Sequence, residues 1–173
     1  MVYNKTKKVP KRYLPSSLSK KDKIIQSKEL MKSQKQYNKK KYHTRKNVKT
    51  YKSKVSQHII NARRIYNIEN IKPSKELKDK TGCSIDALKQ IEKKGMGAYF
   101  SSGSRPNQTA QSWGRARLAS AITGGKSSVI DFHIIKDNCN KDKPAYKLAL
   151  ERIKQNNNKK TVRKAHKTKI KLK

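Results

Sequence analysis

Apolar residues are sparse along this chain, and where they recur at regular spacing they mostly predict helices. Val55, Ile59, Ala62, Ile65 and Tyr66 fall at spacings of three and four and predict an amphipathic helix over about 54–66. Pro73-Ser74 opens a short helix that ends near Thr81, with Gly82 as its stop. Ser84 suits the N-cap of a second helix, about 85–94, with Ile85, Leu88 and Ile91 inward and Gly95 at its end. The Gly/Ser-rich stretch 96–108 reads as a loop. Thr109 then caps a helix over about 110–123, closed by Gly124 and Gly125. From Val129 to Ile135 the period changes to two: Ile130, Phe132 and Ile134 alternate with Asp131 and His133, which predicts a strand. A last helix, about 144–154, presents Leu148, Leu150 and Ile153.

The pattern thins towards the N-terminus. Pro10 and Pro15 block helix in residues 1–15, which read as an extended arm. Ser19 followed by Asp22 marks a helix start, and about 20–36 follows with Ile24, Ile25, Leu30 and Met31 as a thin apolar side. So few apolar groups require that helix to dock on something. Residues 37–54 show no period and read as extended. The expected fold class is mainly α with one or a few short β-strands. A small helical domain over 55–153 would carry an extended basic N-terminal arm, 1–54, and a basic tail, 154–173, the arms ordering on a partner.

Composition explains the sparseness. Of 173 residues 32% are apolar, against roughly 45–50% in an ordinary globular domain. Lys and Arg number 46 and Asp and Glu 11, a formal net charge of +35. Residues 1–57 hold 19 Lys/Arg against Asp22 and Glu29, and residues 151–173 hold 10 against Glu151. A chain so charged repels itself unless a polyanion neutralises it. Most of the charge is Lys, a point charge suited to phosphate backbones rather than to bidentate base reading. Tyr3, Tyr13, Tyr37, Tyr42 and Tyr51 lie among these cations, which suits contact with nucleic acid or insertion into a protein groove. No run of about 18 apolar residues exists, so no transmembrane helix is expected. The basic N-terminus has no apolar stretch behind it for a secretory signal, and Arg12 is too lonely for a mitochondrial presequence. Two cysteines, Cys83 and Cys139, are too few to staple a fold of this size, and a reducing compartment is expected.

Motifs that would carry chemistry are weak. Residues 74–95 have helix-turn-helix spacing, but Lys78 stands where a small residue should let the helices touch. The competing readings are an ordinary helical hairpin and a base-reading unit using Asp86, Lys89 and Gln90. Gly125-Lys126-Ser127 imitates the end of a P-loop, yet Ser120 stands where the pattern needs Gly, so a helix stop is the better reading. Asp131, His133, Asp137 and Cys139 lack a metal-site pattern, and no nucleophile arrangement or acid pair appears. No catalytic residue, metal, cofactor or small-molecule substrate is expected. The stretch Gly97 to Gly125 stands out for Ser, Gly, Arg and the one Trp. Arg105 beside a helix N-terminus makes an anion site reasonable, whereas Trp113 anchoring a small core is the plainer reading. The candidate anion-binding residues are Arg105, Arg115, Arg117 and Lys126, with Lys39, Lys40, Lys41 and Arg45 in the arm. Gly97, Tyr99, Pro106, Thr109, Trp113, Gly114, Gly124 and Gly125 are the candidate structural residues of the motif.

The run Lys94-Gly95-Met96-Gly97-Ala98-Tyr99-Phe100-Ser101-Ser102-Gly103-Ser104-Arg105-Pro106-Asn107-Gln108-Thr109 is followed by Ser112-Trp113-Gly114, by Ala116-Arg117-Leu118-Ala119-Ser120 and by Gly124-Gly125-Lys126. Together they resemble an uncharacterised domain of large DNA viruses of algae and amoebae, with relatives in tailed phages. The resemblance spans roughly 80–131, with a weaker likeness at Tyr13–Ser19. No reaction or catalytic residue comes with it. It implies a virion, assembled in the host cytoplasm or a viral factory. The expected function is therefore non-enzymatic: a basic structural component of the particle binding nucleic acid, DNA before RNA, without sequence preference. The alternative is a minor capsid or cement protein on the inner shell, touching other virion proteins through Val9, Leu14, Leu18, Ile24 and Ile25. A helix-turn-helix regulator ranks lower.

Overall fold

Helices dominate the computed structural model, which describes residues 8–157 and 166–170. Eight α-helices and a two-stranded antiparallel sheet are found among them, so the fold is mainly α as expected. The chain divides into two compact units. The first combines residues 1–54, 98–110 and 163–173, and the second 55–97 and 111–162.

In the first unit, β1 (Lys8–Pro10) pairs with β2 (Lys167–Lys169), Val9 opposite Thr168. A 3-10 turn at Lys11–Tyr13 leads to α1 (Lys20–Asn38). Ser19 caps α1 as expected, its hydroxyl accepting from the Asp22 N–H at 3.1 Å. The buried face of α1 is not the predicted apolar one. Asp22, Gln26, Glu29, Leu30, Ser33 and Gln34 are buried at helical spacing, while Ile24 is exposed. Val9, Tyr13, Leu18, Leu30, Val48, Tyr99 and Ile170 supply the buried apolar groups. The described part of the expected arm, 8–54, thus packs on 98–110 of its own chain rather than lying free. Most of the expected basic tail, residues 158–165 and 171–173, lies outside the described residues.

The second unit packs α2 (Gln57–Tyr66), α3 (Lys75–Thr81), α6 (Lys126–Ile130), α7 (Phe132–Asn138) and α8 (Pro144–Asn157) with most of α4 (Ile85–Ser101) and α5 (Ala110–Ile122). Its core gathers Tyr66, Leu77, Leu88, Ile91, Leu118, Ile122 and Ile135 with alanines of α2, α4, α5 and α8. Tyr66 donates its hydroxyl proton to the Ile122 carbonyl. Trp113 is only half-buried and stands outside this core.

Two sequence expectations fail here for physical reasons. The strand over Val129–Ile135 is instead the junction of α6 and α7. Its inward positions are Ser128, Asp131, Ile135 and Cys139, a helical spacing in which two positions are polar, while Ile130 is exposed. Gly95 does not end α4, which runs on to Ser101. Gly95 serves a close approach instead: a Cβ there would lie 2.7 Å from the Gly114 Cα, and one on Gly114 would lie 2.7 Å from the Glu92 carbonyl oxygen. The helix breaks after Ser101, and Gly103 then takes φ +101°.

The cysteines also depart from expectation. Cys83 and Cys139 face each other in an antiparallel bridge and form a disulfide. It closes a 56-residue separation, which by loop-closure entropy contributes roughly 4 kcal/mol. Ser84 N–H donates to the Asn138 carbonyl and Asn140 N–H to the Gly82 carbonyl, so the turn between α3 and α4 is tied to the turn between α7 and α8.

Replacing Gly95 or Gly114 by Ala should force the two helix backbones apart. The expected cost is about 1–3 kcal/mol, read as a lower thermal midpoint, with no such loss for Ala at exposed Lys93.

Candidate nucleic-acid interface

The motif from Tyr99 to Asn107 is a socket for the N-terminal segment. Arg45, expected to bind an external anion, is 7% exposed and fills this socket. Its guanidinium carbon sits 3.7 Å from the Tyr99 ring centroid. Nη1 donates to the Tyr99 carbonyl at 2.8 Å and to Ser33 Oγ at 3.1 Å, and Nη2 to Ser104 Oγ at 2.6 Å. Burial pushes the guanidinium below its ordinary pKa, and Tyr99, Tyr13 and Glu29 oppose that shift.

Neighbouring polar groups complete the socket. The Gln26 amide donates to the Tyr13 and Ser104 carbonyls, and Gln34 to the Ser102 carbonyl. Asn107, at φ +55°, accepts from the Val48 N–H and donates to the Val48 and Tyr51 carbonyls. A Cβ on Gly103 would lie 2.6 Å from Leu30 Cδ2. Pro106 is buried. The backbone of irregular segments must find partners when buried, and these side chains provide them.

The same packing takes both acids of the first unit inside. Asp22 is 5% exposed and Glu29 8%. Asp22 Oδ2 accepts from the Thr50 hydroxyl at 2.6 Å and the Thr50 N–H at 2.7 Å, which hold its carboxyl below the ordinary value. Glu29 accepts from the Lys46 N–H at 2.8 Å and meets His43 Nε2 at 2.9 Å. Burial alone would raise its pKa, but these contacts outweigh burial and the net shift is downward.

Every exposed ionised side chain among the described residues of this unit is therefore Lys or Arg. Lys21, Lys28, Lys32 and Lys35, continued by Lys39 at the C-cap, are exposed on one stripe of α1. At 1.5 Å per residue the stripe runs about 27 Å. Lys40, Lys41 and Arg105 are also exposed. Among the described residues the Arg105 side chain has no hydrogen-bond acceptor, and Thr109 lies at the surface.

The second-unit candidates behave differently. Arg117 is paired with Asp131, which is 0% exposed: Nε donates to Oδ2 and Nη2 to Oδ1, each at 2.8 Å. Lys94 Nζ reaches the same carboxylate at 2.7 Å. Burial would raise the Asp131 pKa, but the bonds from Arg117 and Lys94 bring it below the ordinary value. Arg117 is thus a structural partner, not an open anion ligand. Arg115 pairs with Glu92 at 3.6 Å. Lys126 is exposed where α6 begins, and the neighbouring Ser127 N–H donates to Ser120 Oγ, the position where a P-loop needs Gly. Gly124, at φ +67°, lies against Leu148, and Gly125 against Ser120. Gly97 lies within α4. The second unit exposes Glu69, Glu76, Asp79, Asp86, Asp137, Asp142 and Glu151 among its lysines, so its surface is of mixed sign.

Sequence reading missed the α1 stripe because it looked for an apolar face; the five lysines at spacings of seven, four, three and four were the available signal. No group of three or more potential metal ligands occurs among the described residues, and none of their helices is long and apolar enough to cross a membrane.

A family model described as "Family of unknown function (DUF5824)" matches residues 10–143. No curated protein and no solved structure matches the chain.

Arg45→Ala should cost roughly 3 kcal/mol in chemical denaturation, because it empties the socket and strands buried acceptors. Arg105→Ala should stay within about 0.5 kcal/mol.

Proposed function

The chain belongs to the DUF5824 family, matched over most of its length, and on that premise we propose that it is a non-enzymatic nucleic-acid-binding protein that engages the phosphate backbone without reading sequence. The observation that carries this reading is the sign of the first unit's surface. Among its described residues that unit holds 20 Lys/Arg against two acids, and both acids are buried and hydrogen-bonded. Phosphate is the natural complement of such a surface, since lysines neutralise it as point charges and the gain comes from counterion release. The stripe on α1 presents them in a row, the arrangement that a polymeric anion can follow.

A place in a virus particle, packaging or tethering DNA, is part of the proposal and rests on the resemblance of the Lys94–Lys126 motif. The cement-protein alternative is less favoured. It needed apolar anchors in a free arm, and of the five Val9 and Leu18 are buried within the chain itself and Leu14 and Ile25 half-buried, which leaves Ile24 alone exposed.

Salt titration of binding to duplexes of unrelated sequence tests the proposal. If the five stripe lysines each neutralise one phosphate, log K should fall with log salt at a slope of about −4.5 or steeper, alike for all sequences. Changing Lys28, Lys32 and Lys35 together to Gln should flatten it by roughly 2.7. Absence of binding at about 50 mM salt would overturn the reading.

A further inference from the structure

The first unit carries an aromatic cluster at the end of the lysine stripe, and its geometry differs from that of a core. α1 stops at Asn38, and Lys40 adopts a left-handed backbone, φ +58°. The N–H groups of Lys40 and Lys41 donate back to the Tyr37 and Gln36 carbonyls, which reverses the chain. Tyr42 consequently returns over the last turn of α1. Its ring centroid lies 6.2 Å from that of Tyr37 and 5.0 Å from that of Phe100, tilted by 57° and 56°. Tyr37 and Phe100 are nearly parallel, 7° apart in orientation. Phe100 is held edge-on by buried Tyr99, at 5.0 Å and 89°, and Tyr99 is fixed by Arg45. The base of the cluster is therefore packed from below.

Its top is open. Tyr42 is 74% exposed, and Tyr37 and Phe100 are only half-buried. Exposed Lys39, Lys40 and Lys41 sit between Tyr37 and Tyr42 in the chain, and Lys35 lies one turn back on the stripe. Tyr42 packs on Phe100 and Tyr37 through one side and leaves most of its ring in water among four cations, and no exposed acid among the described residues of this unit offsets them. Flat apolar faces beside a row of phosphate-neutralising groups match one kind of ligand, an unpaired nucleotide strand. Its bases stack on rings while its backbone follows the lysines. A duplex keeps its base faces hidden and has no use for the platform. An acidic peptide would satisfy the lysines and leave the rings unused.

We propose that Tyr42, supported by Tyr37 and Phe100 and flanked by Lys35 and Lys39–Lys41, is a stacking platform for the bases of single-stranded nucleic acid. This deepens the proposed backbone binding and rests on it.

Fluorescence anisotropy with three labelled probes separates the two: oligothymidylate, an abasic phosphodiester of equal length, and polyglutamate. The full chain should bind oligothymidylate roughly tenfold more tightly than the abasic strand. Tyr42→Ala should abolish that difference while leaving abasic binding unchanged, and Tyr42→Phe should retain it. Equal affinity of the native chain for both strands, a Tyr42→Ala loss shared by both, or polyglutamate binding as tight as oligothymidylate would overturn the platform and leave backbone binding standing. No binding to either strand would overturn both.

Discussion

A buried guanidinium without a carboxylate partner organises the first unit. Arg45 is held by two hydroxyls, one carbonyl and the face of Tyr99, all neutral. Desolvating a cation is costly, and such a site is stable only when each donor finds an acceptor in the right place. Tyr99, Ser104 and Ser33 are therefore fixed together, and with them the segment 98–110, the turn after α1 and the inner face of α1. Asn107 extends the same logic by closing hydrogen bonds on Val48 and Tyr51.

An interior built this way determines the exterior. Polar residues on the inner face of α1 include the two acids of the first unit, so their negative charge is used to bind Thr50, His43 and the Lys46 N–H. Lysines remain for the outer face. The second unit keeps its acids outside apart from Asp131 and the half-buried Glu92, and Arg117 and Arg115 answer to those two carboxylates. Of the residues first suspected of holding an anion, Lys39, Lys40, Lys41, Arg105 and Lys126 face solvent, while Arg45 and Arg117 are structural and Arg115 is paired with Glu92.

The legible parts of the sequence were those where burial is apolar or a cap is explicit. The Ser19 cap, the Gly82 stop, the start of α4 after Ser84 and Leu88 and Ile91 in its inner face all follow ordinary patterning. Where polar residues point inward the pattern misleads. Asp131 turned an α6–α7 junction into an apparent strand, and Gln26, Glu29 and Ser33 concealed the docking face of α1. Glycine has the same ambiguity: Gly95 looks like a stop but permits contact with Gly114. The long central motif was recognisable, yet its purpose was not, because its partners Arg45 and Val48 lie more than 50 residues away in sequence. The Cys83–Cys139 bridge runs against the reading of two cysteines as too few to staple the fold, because patterning does not show that the α3–α4 and α7–α8 turns meet.

The proposed contact with nucleic acid falls on the first unit's lysine stripe and on the chain reversal that follows it. Lysine acylation footprinting of the intact protein, with and without a saturating oligonucleotide and read by mass spectrometry, tests that assignment most directly. Lys28, Lys32, Lys35 and Lys39–Lys41 should lose reactivity on binding, while Lys75, Lys80, Lys136 and Lys147 of the second unit keep theirs. Protection confined to the second-unit lysines, or spread evenly over both units, would contradict it.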